Sequence, residues 1–101
     1  MVDIAGLAAI AKKAGAILAV DNAVASPALQ QPIALGADLV VHSATKYVEG
    51  QGRVLAGAIA GRADLVNGPI YNFVRTAGPA ISPFNAWICL KGMETLSIRM
   101  K

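Results

Sequence analysis

The chain has 101 residues, a formal charge of +3, one cysteine, and 55% hydrophobic against 15% charged residues. Its nine Lys and Arg are scattered with few aromatics among them, so nucleic-acid binding has no support, and polar residues interrupt every apolar run before it could cross a bilayer. The length allows one small domain at most, yet so little charge suits an interior piece of a larger α/β domain better than a self-contained one.

Asp3 is placed to cap a helix over residues 4–14, with Ile4, Leu7, Ala8 and Ala11 on one face and Lys12 and Lys13 in the last turn. Gly15 is a natural stop. A short apolar run, residues 16–20, then reads as a buried strand that delivers Asp21. Residues 22–27 read as a loop of small residues, and 28–35 as a short helix or turn ending at Gly36. A second strand is expected over 38–42. It breaks off into a polar cluster, Ser43-Ala44-Thr45-Lys46-Tyr47. Residues 49–53 form a Gly-punctuated turn. A third strand over 54–60 follows too closely for a crossover, which favours an antiparallel partner. A helix over 62–76 is expected to kink at Gly68-Pro69, and Ser82 with Pro83 opens another that runs to the chain end with an irregularity at Gly92.

Ligands of open α/β sheets bind beyond the carboxyl ends of the strands. Lys46 sits at such an end, with the Ser43 and Thr45 hydroxyls just upstream. A lysine held among apolar segments loses solvation, which favours its nucleophilic neutral form. A lysine nucleophile beside phosphate donors suggests a Schiff base with pyridoxal 5'-phosphate (PLP). Asp21, at the end of a neighbouring strand, can supply the carboxylate that keeps a pyridine nitrogen protonated. Each residue also has an ordinary reading: a surface lysine for Lys46, a turn cap for Asp21.

His42 has no second histidine or ligand cluster near it, so a structural role is expected and no metal site. Tyr47 is read as packing beside the pocket in preference to acting as an acid or base, and Arg53 as solvated or facing an acidic substrate or a neighbouring subunit. Trp87, Cys89 and Leu90 are read as core. Cys89, with no partner in the chain, fits a reducing compartment. The N-terminus shows no secretory pattern, so a cytoplasmic location is the default expectation.

Val20-Asp21-Asn22, then Gly36-Ala37-Asp38-Leu39-Val40-Val41-His42-Ser43-Ala44-Thr45-Lys46-Tyr47, resembles the cystathionine gamma-synthase-like family of PLP enzymes. The resemblance continues through Ser82-Pro83-Phe84 and Lys91-Gly92-Met93-Glu94-Thr95-Leu96 to Arg99-Met100. Gly50-Gln51-Gly52-Arg53-Val54 is most similar to the branch that sulfhydrylates O-succinylhomoserine. The resemblance implies the central portion of a fold-type I PLP-transferase large domain, a mixed sheet with parallel strands and one antiparallel strand. Residues 1–101 would be a partial PLP-binding domain, without its N-terminal part and the C-terminal domain. It further implies that Lys46 holds the cofactor and shuttles protons, that Asp21 pairs with the ring nitrogen, and that Ser43 and Thr45 bind phosphate. The implied reaction is γ-replacement of O-succinylhomoserine by sulfide to give homocysteine, in a homo-oligomer of the homotetramer type.

Ala23 departs from the family's usual threonine after Asp-Asn, which puts one polar contact in doubt. The family's ring-stacking aromatic and substrate-carboxylate arginine match no position here, and Arg99 is no substitute. Little or no turnover is therefore expected of these residues alone. Gamma-synthase or gamma-lyase activity, and a non-catalytic remnant serving as an interaction module, stay open as alternatives.

Overall fold

The computed structural model describes residues 2–101. Helix α1 spans Ile4–Lys13 and begins where the Asp3 carboxylate accepts the Gly6 N–H at 2.9 Å. Lys12 and Lys13 occupy its last turn, and Gly15 leaves it at φ +66°. Ile4 is buried, but Leu7 and Ile10 of the same helix are exposed. Only part of the apolar stripe is therefore covered.

Three strands form one sheet in the order β1-β2-β3. Strand β1, Ala19–Asp21, pairs in parallel with β2, Leu39–Ser43, and β3, Gly57–Gly61, pairs with β2 in the antiparallel sense. A mixed sheet of this kind is what the sequence led us to expect. Two strand starts differ from expectation. β1 begins at Ala19 rather than at residue 16, because the Asp38 carboxylate takes the Leu18 N–H at 2.9 Å in place of a ladder bond. The same carboxylate accepts from the Arg62 guanidinium at 3.1 Å, tying the amino end of β2 to the exit of β3. β3 begins at Gly57 rather than at residue 54, because residues 54–56 fold over the turn that follows β2.

Helix α2, Ser26–Leu29, and a tight turn at Pro32–Leu35 join β1 to β2. After β3, helix α3, Ala63–Leu65, bends through Val66–Ile70 into α4, Tyr71–Ala77. Pro69 and the non-helical backbone of Gly68 make that kink. Helix α5, Pro83–Met93, starts where Ser82 accepts the Asn85 N–H at 3.1 Å. It ends at Met93 instead of running on, and α6, Leu96–Arg99, follows. Of the residues expected in the core, Cys89 is buried, but Trp87 and Leu90 are 53% and 62% exposed. Only the side of α5 that meets the turn after β2 is covered within this chain.

The whole measures 41 × 38 × 16 Å with a radius of gyration of 14.5 Å. A compact domain of this length has about 13 Å. The molecule is a slab whose faces still carry Phe73, Phe84, Trp87 and Ile98 in the open. Among the described residues no helix is long and apolar enough to cross a membrane.

Candidate active site

Parallel pairing decides where the chemistry lies. In a parallel pair both strands end at the same edge, and Asp21, the last residue of β1, stands opposite Val41. β2 runs on to Ser43 and then turns. Asp21 and Lys46 are therefore delivered to one rim of the sheet. The Asp21 carboxylate accepts the Ala23 N–H at 2.9 Å, the turn-cap role that was its ordinary reading. This local bond fixes the carboxylate while leaving the residue exposed.

The residue beside it is the better anchored of the two. Asn22 is 1% exposed. Its side chain donates to the Ser26 and Gln30 carbonyls at 3.0 and 2.9 Å and accepts from the Gln30 amide at 2.8 Å. Its N–H continues the ladder to the Val41 carbonyl at 2.8 Å. A segment that reads as a loop of small residues is thus a bonded platform under Asp21. The Asn-to-Gln spacing was the available signal, and it needs the fold to be read.

The lysine sits in one wide turn, Ala44–Val48, closed by Glu49 N–H to the Ala44 carbonyl and Gly50 N–H to the Lys46 carbonyl, at 2.9 and 2.8 Å. Ala44 and Val48 face inward and pack with Cys89 of α5, and Val54 and Ala56 close over them. Burial of these small apolar groups seats the turn. Lys46 itself has non-helical backbone, φ −83° and ψ −117°, so its side chain departs from the helical stack. It is exposed rather than held among apolar segments as the sequence suggested.

Ser43 flanks the turn and makes no side-chain cap bond to it, so its hydroxyl is available. Thr45 is differently employed. Its hydroxyl donates to the Ala56 carbonyl at 3.1 Å and accepts the Ala56 N–H at 2.9 Å. A phosphate at Thr45 would have to draw away the one proton that this hydroxyl gives to Ala56.

Beneath the turn lies a group that sequence reasoning missed. Glu49 is fully buried, although it falls in a Gly-punctuated turn that looks solvated. Burial is the largest single influence on its carboxyl and pushes the pKa up. The Arg53 N–H, the Arg53 guanidinium and the Gln51 N–H together outweigh it and hold the carboxyl at about 2. Arg53, expected in solvent, on a substrate or against a neighbouring subunit, is the partner of this buried carboxylate. Burial pushes the Cys89 thiol up, so it is a packing group and a poor nucleophile. His42 has a buried Nδ1 with no hydrogen-bond partner.

A groove of about 1150 Å³ lies beside β3, lined by Val41, His42, Ile59, Phe73 and Ile81 among others. It is apolar and does not include Asp21, Ser43, Thr45 or Lys46. Another hollow, of about 500 Å³, lies at the amino end of the strands by Lys12, Asp38 and Arg62. Among the described residues no group of three or more His, Cys, Asp or Glu could hold a metal ion. The rim therefore offers an exposed amine, a carboxylate and an unengaged hydroxyl, a donor set that suits an aromatic aldehyde bearing a ring nitrogen and a phosphate.

Comparison with known proteins points to the same class of cofactor. The family model for Cys/Met metabolism PLP-dependent enzymes matches residues 1–101. An O-succinylhomoserine sulfhydrylase of Pseudomonas aeruginosa is 60% identical over 101 residues, covering 100% of this chain and 25% of its own length. The O-succinylhomoserine sulfhydrylase of Mycobacterium tuberculosis is 52% identical over the same span and share. A solved methionine gamma lyase from Micromonospora echinospora superposes with a TM-score of 0.93 at 38% identity, covering 97% of this chain and 27% of that one. The chain thus spans about a quarter of the length of the curated relatives it matches.

Proposed function

The chain belongs to the family of Cys/Met metabolism PLP-dependent enzymes, and from that premise we propose that residues 1–101 are the central portion of the PLP-binding large domain of an O-succinylhomoserine sulfhydrylase. The observation that carries the proposal is the shared rim: parallel register brings the Asp21 carboxylate and the Lys46 turn to one edge. The cofactor, when bound, supplies an electron sink for negative charge developing on a substrate carbon. Lys46 would hold it through its amine, and the same amine would take and return protons at the substrate's α and β carbons. Asp21 holds a proton on the ring nitrogen. Ser43 donates its free hydroxyl to phosphate, and Thr45 adds a second bond when its proton turns from Ala56. Charge-assisted bonds of this sort are roughly twice as strong as neutral ones.

The reaction on this reading is γ-replacement: succinate leaves O-succinylhomoserine, sulfide adds, and homocysteine forms. The identity to two sulfhydrylases supports that choice. Gamma-lyase is the second reading, since a relative named L-methionine gamma-lyase is 46% identical over 101 residues. The slab shape, the apolar side chains on its faces and the unpartnered His42 Nδ1 support a larger domain and a homo-oligomer around these residues.

The test uses the full-length protein that carries this segment. Homocysteine released from O-succinylhomoserine and sulfide, and lost in Lys46→Ala, supports the proposal. Breakdown of methionine with no sulfhydrylation selects the lyase reading instead.

A further inference from the structure

We propose that Arg99, the last residue of α6, is a positioning residue that holds the lysine turn in place. The inference rests on Lys46 being the reactive amine. The two residues after Lys46 present their carbonyls at the open end of the turn, where no following helix satisfies them. Arg99 reaches them from far along the chain: one guanidinium nitrogen donates to the Tyr47 carbonyl at 2.8 Å. Another is shared between the Val48 carbonyl at 3.3 Å and the Gly92 carbonyl at 2.7 Å. Its Nε donates to the Thr95 hydroxyl at 3.0 Å, which aims the head. One planar cation thus joins the lysine turn to the end of α5 and the start of α6.

Two glycines make room for it. A Cβ at Gly50 would overlap the guanidinium, and Gly50 has a left-handed φ of +77°. A Cβ at Gly92 would lie 2.7 Å from the Glu49 Cα, so α5 rests directly on the backbone beneath the turn. Arginine and not lysine is needed, because only a rigid fork serves several carbonyls at once, whereas an ammonium is a single point. A positive charge at the carbonyl end of a turn also suits its dipole. Among the described residues Arg99 pairs with carbonyls and one hydroxyl, and two of those carbonyls, of Tyr47 and Val48, follow Lys46 directly.

The test compares full-length protein with its Arg99→Lys, Thr95→Val and Lys91→Met variants. Two quantities are read: the rate at which Lys46 acquires a borohydride-reducible adduct with added PLP, and hydrogen exchange of the Glu49 and Gly50 amides that close the turn. Loss of charged hydrogen bonds in Arg99→Lys is expected to slow trapping by about tenfold and speed exchange by about as much. Thr95→Val should move both in the same direction by less, and decides the matter if Arg99→Lys does not fold. Lys91→Met, which breaks only an exposed pair with Glu94, should move neither. If the parent traps no PLP on Lys46, the proposed function fails, and amide exchange alone then judges Arg99. Unchanged trapping and exchange in folded Arg99→Lys would overturn the positioning role.

Discussion

Gly92→Ala sets two known effects against each other at one atom. Gly92 lies inside α5, where alanine is favoured over glycine by about 1 kcal/mol. A free helix face would therefore gain stability from the change. Here the new Cβ would lie 2.7 Å from the Glu49 Cα and 2.8 Å from its carbonyl carbon. Ordinary carbon contacts are about 3.5–4.0 Å, so the backbone under the lysine turn has to retreat by roughly 1 Å. It cannot swing aside as a side chain would, and Glu49 is pinned from above by Arg53 and Gln51. Overpacking of this kind costs about 1–3 kcal/mol, which offsets or outweighs the helix gain. We expect a net loss of up to about 2 kcal/mol in urea unfolding of the full-length protein. Lys91→Met, which breaks only an exposed pair with Glu94 on the same helix, is the control. Faster exchange of the Gly50 amide in Gly92→Ala should accompany the loss. A variant as stable as the parent, with an undisturbed Gly50 amide, would refute the close approach of α5 to the lysine turn.

Glu49→Gln tests the buried carboxylate. Its folded pKa of about 2 lies below the ordinary 4.5, so its contribution is complete above 4.5 and is lost as pH falls toward 2. The gap in urea midpoint between parent and variant should therefore be widest near neutrality and close over that interval; a gap independent of pH contradicts the assignment. Ser82→Ala removes the cap bond to Asn85 and should cost about 1 kcal/mol in the same assay, whereas no loss would mean that α5 is held by its contacts alone.

Much of this layout was legible from local rules. Asp3, Gly15, Ser82-Pro83 and the Gly68-Pro69 kink work through neighbours in the chain, and each stands where the sequence puts it. The mixed sheet followed from connection length. Strand starts were less legible, because an Asp38 side chain displaces one ladder and the lysine turn captures residues 54–56 from the other. Trp87 and Leu90 read as core because they are large and apolar, yet among the described residues both stay exposed. Arg53 and Arg99 were hidden for a different reason. Their partners, a buried carboxylate and a set of backbone carbonyls, become partners only when separate turns and helices meet. Periodicity carries no trace of such bonds.

The central claim is that an amine and a carboxylate share one edge of the sheet to grip a single cofactor through Lys46. It is tested most directly by incubating the full-length protein with PLP, reducing with borohydride, and mapping the modified lysine by peptide mass. The account predicts label on Lys46 and its disappearance in Lys46→Ala. Label on Lys12, Lys13, Lys91 or Lys101 with Lys46 left bare, or none on a folded protein, would contradict it.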